Sequence, residues 1–285
     1  MKKSTLMDRE WVGGLTLLSA LCAVFTTVVA LAAEQVGAGG ESFAFATWNI
    51  GHFALGKWPP GMPVEKVPVM VPAYRDFLRR AGADVIGLCE YDNYMDVSNT
   101  CAAAELVFAE YPNSTKEPSG PDRLNMIYWK DAECVAAGKV RFPNHSQYRF
   151  YRFARLKIAG REVCFVETHL DWNLQKPGHA NDRADQIARL VAAFRDEPYV
   201  VIGGDFNTCV LKDGKWQDAP EEYEQFRKAG FAAAHWGELK TWPAKAPYKS
   251  IDNIFTKGFS ISEQKVLADP TLSDHALIRC RLTFK

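Results

Sequence analysis

The sequence predicts an α/β protein of the α+β kind. The expected architecture is a four-layer α/β sandwich, with two mixed β-sheets packed face to face and helices outside. Three observations point there. Short apolar runs recur along residues 43–285, each bounded by Gly, Pro, Asp or Asn, as strands are. Stretches with helical rhythm lie between them. No repeat or low-complexity linker divides the region, so it is expected to form one domain.

In chain order the strand candidates are Phe43–Trp48, Val85–Cys89, Met126–Trp129, Val163–Thr168, Tyr199–Ile202, Ile251–Thr256 and Ala276–Leu282. Tyr148–Ile158 (YRFYRFARLKI) alternates aromatic or aliphatic residues with Arg and Lys, the pattern of a half-buried strand. Its arginines are expected on one solvated face, or as part of a substrate groove. Ala159-Gly160 turns it back into Glu162–Thr168 as a hairpin. Helices are expected over Val67–Ala81, over Ser98–Glu110 with a Ser cap, and over Asn181–Arg195. In the last of these Ile187, Leu190, Val191 and Phe194 recur at helical spacing.

The first 32 residues are expected to be a signal peptide, followed by a short linker at 33–42. Lys2 and Lys3 precede Val12–Ala33, a run without charge, and Ala30-Leu31-Ala32 has the small-x-small form of a cleavage site. This implies a secreted or periplasmic protein. Left uncleaved, the run is long enough to anchor the chain in a bilayer of about 30 Å.

The chain has 285 residues, 47% hydrophobic and 12% aromatic, which excludes a disordered or collagen-like protein. With 34 basic and 34 acidic residues its net charge is zero. Holding nucleic acid by bulk electrostatics is therefore not expected, although a local basic groove stays open. There is no CxxC pair and no Cys–His spacing of a zinc site. Cys89, Cys164 and Cys280 lie in apolar runs and are expected to be buried thiols. Export would permit disulfides, and Cys101 with Cys134 is the first pair to test.

One pattern recurs. An apolar run ends, and a polar or ionisable residue stands at or just beyond its end: Asn49, Glu90, His169, and Asp205 with Asn207 two further on. Asp252 opens another strand, and Asp274-His275 leads into the last. Ligands of α/β proteins gather where strand ends meet on one rim. Carboxylate and amide oxygens gathered there suit Mg²⁺ or Mn²⁺, and the two histidines suit proton transfer. His52, three positions after Asn49, is either a substrate-binding residue overhanging the cleft or a plain loop residue. Trp172, close behind His169, is a candidate for stacking on a base or sugar, or for core packing. His145, His179 and His235 are expected to be solvated.

These segments together resemble the endonuclease/exonuclease/phosphatase superfamily, which has the deoxyribonuclease I-like fold. They are Thr47-Trp48-Asn49-Ile50-Gly51, Asp84–Glu90, Glu167-Thr168-His169-Leu170, Gly203-Gly204-Asp205-Phe206-Asn207, Ser250-Ile251-Asp252 and Ser273-Asp274-His275. The resemblance spans residues 43–285 in family order. It implies Glu90 as the main ligand of a divalent metal, with Asn49 and Asp274 close by. It further implies that Asp205 and Asn207 orient phosphate and water, that His169 assists a phosphate oxygen or the leaving group, and that His275, oriented by Asp252, contacts the phosphate or acts as general base, with Asp205 the other candidate for that base.

The implied activity is a metal-dependent phosphoric ester hydrolase, phosphodiesterase or nuclease-like, using in-line water attack. A phosphomonoesterase or a lipid-headgroup phosphodiesterase of the same fold is the alternative. The reading from a different class is an inactive binding module. The implied partners are a phosphate-ester substrate (nucleic acid, small phosphodiester or lipid headgroup) and no second protein, with a monomeric state.

Overall fold

In the computed structural model the residues described are 41–53, 64–91, 104–115, 124–143, 148–172, 174, 177–213 and 215–285. The expected signal, residues 33–40 of the expected linker, Cys101, His145 and the first half of the Ser98–Glu110 helix lie outside them; residues 104–107 are helical. In chain order the elements are β1 (Ser42–Asn49), α1 (Val67–Ala81), β2 (Val85–Cys89), β3 (Asn113–Ser114), β4 (Asn125–Trp129), β5 (Glu133–Arg141) and β6 (Phe150–Ile158). There follow β7 (Arg161–His169), α2 (Asp182–Phe194), β8 (Val200–Asp205), β9 (Cys209–Lys212), β10 (Lys215–Asp218) and α3 (Glu224–Lys228). The last are β11 (Ala232–Ala233), β12 (Asp252–Lys257), β13 (Phe259–Leu267) and β14 (Leu277–Phe284).

Two six-stranded sheets form, in the orders β13-β14-β1-β2-β4-β3 and β11-β12-β8-β7-β6-β5. Both are mixed: β1 pairs parallel with β2 and β7 with β8, while their other neighbours run antiparallel. Strand alternation sorts the side chains into layers. Phe43 and Phe45 of β1 point between the sheets, against Phe165, Val201 and Ile254 of the other sheet. Ala46 and Trp48 point the opposite way, onto Tyr74, Phe77 and Leu78 of α1. The second sheet repeats the scheme, packing Cys164, Val166, Val200 and Ile202 against Ile187, Leu190 and Phe194 of α2. Both faces of each central strand are thus buried, which is why these strands read as unbroken apolar runs. Each buried Phe or Leu contributes about 1.5–3 kcal/mol by leaving water. The four-layer sandwich is as expected.

α1 and α2 form where helical spacing places them. α1 carries a Pro in its first turn and ends at Gly82, whose positive φ of 59° lets its N–H reach Leu78 O at 3.0 Å. Two long strands were not legible. β5 and β13 are the outer strands of their sheets and are largely solvated, so their residues lack a buried face to impose alternation.

The arginines of Tyr148–Arg155 do not share one solvated face. Arg152 points between the sheets, in step with Ala154 and Leu156, where its guanidinium donates to Asn125 O at 2.6 Å and Thr115 O at 3.0 Å. Arg155 points outward to Glu197 and Glu162. Cys134 carries a free thiol on the solvated face of the edge strand β5, and its suggested partner Cys101 lies outside the described residues. Cys89, Cys164 and Cys280 are buried thiols, as expected.

Candidate active site

The layering that buries the phenylalanines also aims the site. In β1 the inward positions 43, 45, 47 and 49 run Phe, Phe, Thr, Asn; in β7 positions 163 to 169 run Val, Phe, Glu, His; in β8 positions 201 to 205 run Val, Gly, Asp. Each strand therefore passes from apolar filling to a polar layer and then to a functional residue at its C-terminal end. Register aligns these ends: His169 pairs with Asp205, Asp205 with Asp252, and Asn49 with Cys89, next to Glu90. Parallel pairing at β1–β2 and β7–β8 is what brings four strand ends to one rim.

Beneath the rim lies Glu167, fully buried. Its Oε1 accepts from the Thr47 hydroxyl at 2.7 Å and from the Cys89 thiol at 3.2 Å, while Oε2 has no hydrogen-bond partner. Burial holds this carboxyl well above its ordinary range, in the neutral form. The space for it is made by absent side chains. A Cβ on Gly87 would lie 1.8 Å from Oε2, and one on Gly203 2.8 Å. Gly204 is needed differently: its Cβ would strike Thr168 O at 2.0 Å.

At the rim, His275 Nδ1 lies 3.0 Å from Asp252 Oδ2 and its Nε2 3.8 Å from Asp205 Oδ2. Burial alone would lower the His275 pKa. The Asp252 and Asp205 carboxylates override it and push the imidazole up to about 10, so the ring is an imidazolium at neutral pH. Asp205 is pushed up to about 7 by burial and by Asp252, with His275 and the Asn49 amide opposing. The Asn49 Nδ2 donates to Asp205 Oδ2 at 3.1 Å. Asn207, at φ 50°, donates its N–H to Asp205 Oδ1 at 2.9 Å and its Nδ2 to Leu170 O at 3.0 Å.

His169 stands between two carboxylates, 3.5 Å from Asp205 Oδ2 and 3.7 Å from Glu90 Oε1, both longer than a normal hydrogen bond. Burial, then the Arg149 charge, depresses its pKa well below the usual range, so it is a neutral imidazole. Glu90 adopts φ 51°, which breaks the alternation of β2 and sets its carboxylate at the mouth, 3.5 Å from His52 Nε2. His52 is thus drawn into the site and is not a plain loop residue. The Ser-Asp-His segment has its own logic. Ser273 donates its hydroxyl to Asn49 O at 2.7 Å and accepts the His275 N–H at 3.0 Å, tying the last strand to the end of β1. Asp274 is exposed; its Oδ2 accepts from Trp242 Nε1 at 3.0 Å, and its Oδ1 would lie 3.4 Å from a Cβ on Gly51.

Of the residues singled out in the sequence, Asn49, Glu90, His169, Asp205, Asn207, Asp252 and His275 are joined by these contacts, and Asp274 and His52 adjoin them. Trp172 is about half exposed at the surface beyond His169, not packed in the core. His235 corrects the expectation of a solvated residue: it is buried, its Nε2 2.8 Å from Asp252 O. Three participants were missed. Arg149, nearly buried, lies 3.8 Å from Asp171 and within the fields of Glu90 and Asp205. Glu167 was named only within the Glu167–Leu170 segment, with no role of its own, and Trp242 was passed over, because neither type of residue, taken singly, signals a site. Among the described residues, Asp205, Asp252 and His275 also bring one ligand-type atom each to within 4.8 Å of one another. The His275 Nδ1 of that trio is engaged by Asp252, so it reads as a hydrogen-bonded dyad facing a third carboxylate.

Residues 46–275 match the family model described as Endonuclease/Exonuclease/phosphatase family. No curated protein sequence matches the chain. Among solved structures, an endonuclease/exonuclease/phosphatase from Beutenbergia cavernae superposes with a TM-score of 0.65 at 18% identity, covering 86% of this chain and 72% of that one. The mannosyl-6-phosphatase Bt3783 of Bacteroides thetaiotaomicron gives 0.61 at 13% identity, covering 85% and 100%. TDP2 of D. rerio, crystallised with a single strand DNA product, gives 0.60 at 15%, covering 85% and 99%. The chain belongs to the endonuclease/exonuclease/phosphatase family.

Proposed function

We propose that this protein is a secreted, divalent-metal-dependent hydrolase of phosphate esters, acting as a monomer by in-line attack of water on phosphorus. The observation that carries this is the Asp252–His275–Asp205 arrangement. It sets a fixed imidazolium opposite a carboxylate whose affinity for protons is near neutral. Those are the two things hydrolysis of an anionic ester needs. In this scheme Asp205 takes a proton from the attacking water as the new O–P bond forms. The His275 imidazolium and the Asn207 amide hold the phosphate oxygens, and neutral His169 donates to the oxygen facing Glu90. The P–O bond to the leaving alcohol breaks, and the alkoxide is protonated from solvent. Arg149 adds fixed positive charge from below.

The donor set fits a hard cation. Glu90, Asp205, Asp252 and Asp274 gather more formal negative charge than His275 and Arg149 offset, and their oxygens are the donors a hard cation takes. Asn49, Glu90 and Asp274 would hold Mg²⁺ or Mn²⁺. Bound there, such an ion supplies charge neutralisation for the phosphate and its leaving group.

The fold carries both a sugar phosphatase and a DNA-bound TDP2 among similar structures. The neutral overall charge favours a small or single-stranded ester over long duplex DNA. The test is a panel with the purified protein: p-nitrophenyl phosphate, bis-(p-nitrophenyl) phosphate, plasmid DNA, RNA and sphingomyelin, each with Mg²⁺ or EDTA. Turnover of at least one ester with Mg²⁺ and none with EDTA is expected. No turnover of any would leave the binding-module alternative standing. For location, exported protein should begin at Ala33; a mature N-terminus at Met1 would overturn cleavage after Ala32.

A further inference from the structure

Arg183, in the first turn of α2, is fully buried, although nothing in the proposed chemistry uses it. Its guanidinium donates to the backbone carbonyls of three residues: Asn207, Cys209 at 3.0 Å and Asp171 at 3.4 Å. The same group is gripped by both carboxylate oxygens of Glu222. A planar fork held by a carboxylate leaves little freedom, and its remaining N–H groups therefore aim in fixed directions. They aim at the two loops that follow β7 and β8. One helical turn on, buried Gln186 grips Asp171 from the other side. Its Oε1 accepts the Asp171 N–H at 2.9 Å, and its Nε2 donates to Asp171 Oδ2 at 2.9 Å.

Asn207 is the residue that most needs such support. It sits at φ 50°, in the left-handed region that residues other than glycine seldom adopt. Its amide and its N–H, to Leu170 O and Asp205 Oδ1, both depend on that conformation. We propose that Arg183 is a positioning residue for the reaction: clamped by Glu222, it fixes the backbone of Asn207 in its left-handed conformation, so that the Asn207 amide meets the phosphate. Arg183 touches no substrate. It acts through Asn207 alone, and the proposal rests on the role of Asn207 given above.

The test is a double-mutant cycle in kcat on bis-(p-nitrophenyl) phosphate and p-nitrophenyl phosphate, with Tm and circular dichroism measured alongside. Arg183→Lys keeps the charge and removes the fork. It should lower kcat on the order of 10- to 100-fold, the scale of a misplaced reacting group, with KM changed less than about 3-fold. In an Asn207→Ala background the same change should lower kcat less than about 3-fold further, while its Tm loss stays as large as before. A merely structural role would move Tm equally in both backgrounds and give no such coupling in kcat. Should Arg183→Lys not fold, Glu222→Gln, which loosens the grip but leaves the guanidinium, must show the same non-additivity with a smaller loss. Losses in kcat that simply multiply overturn the clamp. An Asn207→Ala variant with undiminished kcat overturns the role of Asn207 itself, and the two failures are distinct.

Discussion

His275 presents its two ring nitrogens to two different carboxylates, Nδ1 to Asp252 at 3.0 Å and Nε2 toward Asp205 at 3.8 Å. Strand register creates this relationship. Asp205 and Asp252 are directly paired across the antiparallel β8–β12 ladder, and His275 enters from the other sheet through the turn that Ser273 ties to Asn49. The imidazolium, carried by one sheet, is consequently held by two carboxylates of the other, and Asp252 is itself buttressed at its carbonyl by buried His235.

Glu90 should be indispensable to chemistry and dispensable to folding, since its carboxylate stands at the mouth, where its ion-pair partners among the described residues are His52 and His169. Glu90→Gln is expected to lower kcat on the order of 10²-fold or more, the scale of losing one charge stabiliser, with an unchanged Tm. EDTA should remove wild-type activity, and Mg²⁺ or Mn²⁺ should restore it. Full turnover in protein stripped of metal would contradict the cation site.

Glu167 offers a test of stability. Its folded pKa is raised by burial, so the stability it contributes is fully present below its unfolded pKa and is lost as pH rises through the folded one. Glu167→Gln reproduces the neutral acid at every pH. The variant should match the wild type near pH 4 and exceed it near pH 8. Thermal melts across that range check the sign; a variant less stable at pH 8 than the wild type would contradict a neutral Glu167.

Gly204→Ala should be severe. The new methyl would meet Thr168 O at 2.0 Å, backbone that cannot step aside without breaking the β7–β8 ladder, and φ is 151° there. A loss of at least about 3 kcal/mol is expected. At 2–4 °C per kcal/mol that is a Tm lower by roughly 6–12 °C. A Tm within about 2 °C of wild type would show that the strand shifts freely.

Much of this was legible in the sequence for one reason: central strands buried on both faces write themselves as apolar runs, and the functional residues stand where those runs stop. Asn49, His169 and Asp205 were found that way. What stayed hidden lacked such a marker. The edge strands β5 and β13 answer to solvent and so carry no apolar run. His235 looks like a solvated loop residue until the chain folds it under Asp252. Arg149 and Arg183 were read, if at all, as surface charge, because burying a guanidinium requires acceptors that only tertiary structure gathers. Glu167 was visible only as part of a motif; its buried place depends on the glycines at 87 and 203, far away in sequence.

The most direct measurement is a double-mutant cycle on the dyad, following kcat for phosphate-ester hydrolysis in wild type, Asp252→Asn, His275→Ala and the double variant, each shown to be folded by circular dichroism. Each single change should cost on the order of 10²–10⁴-fold in kcat. The double variant should be scarcely worse than His275→Ala alone, because Asp252 acts only by holding the imidazolium. Losses that multiply, or an Asp252→Asn variant with nearly full kcat and lowered Tm, would contradict the dyad and the mechanism built on it.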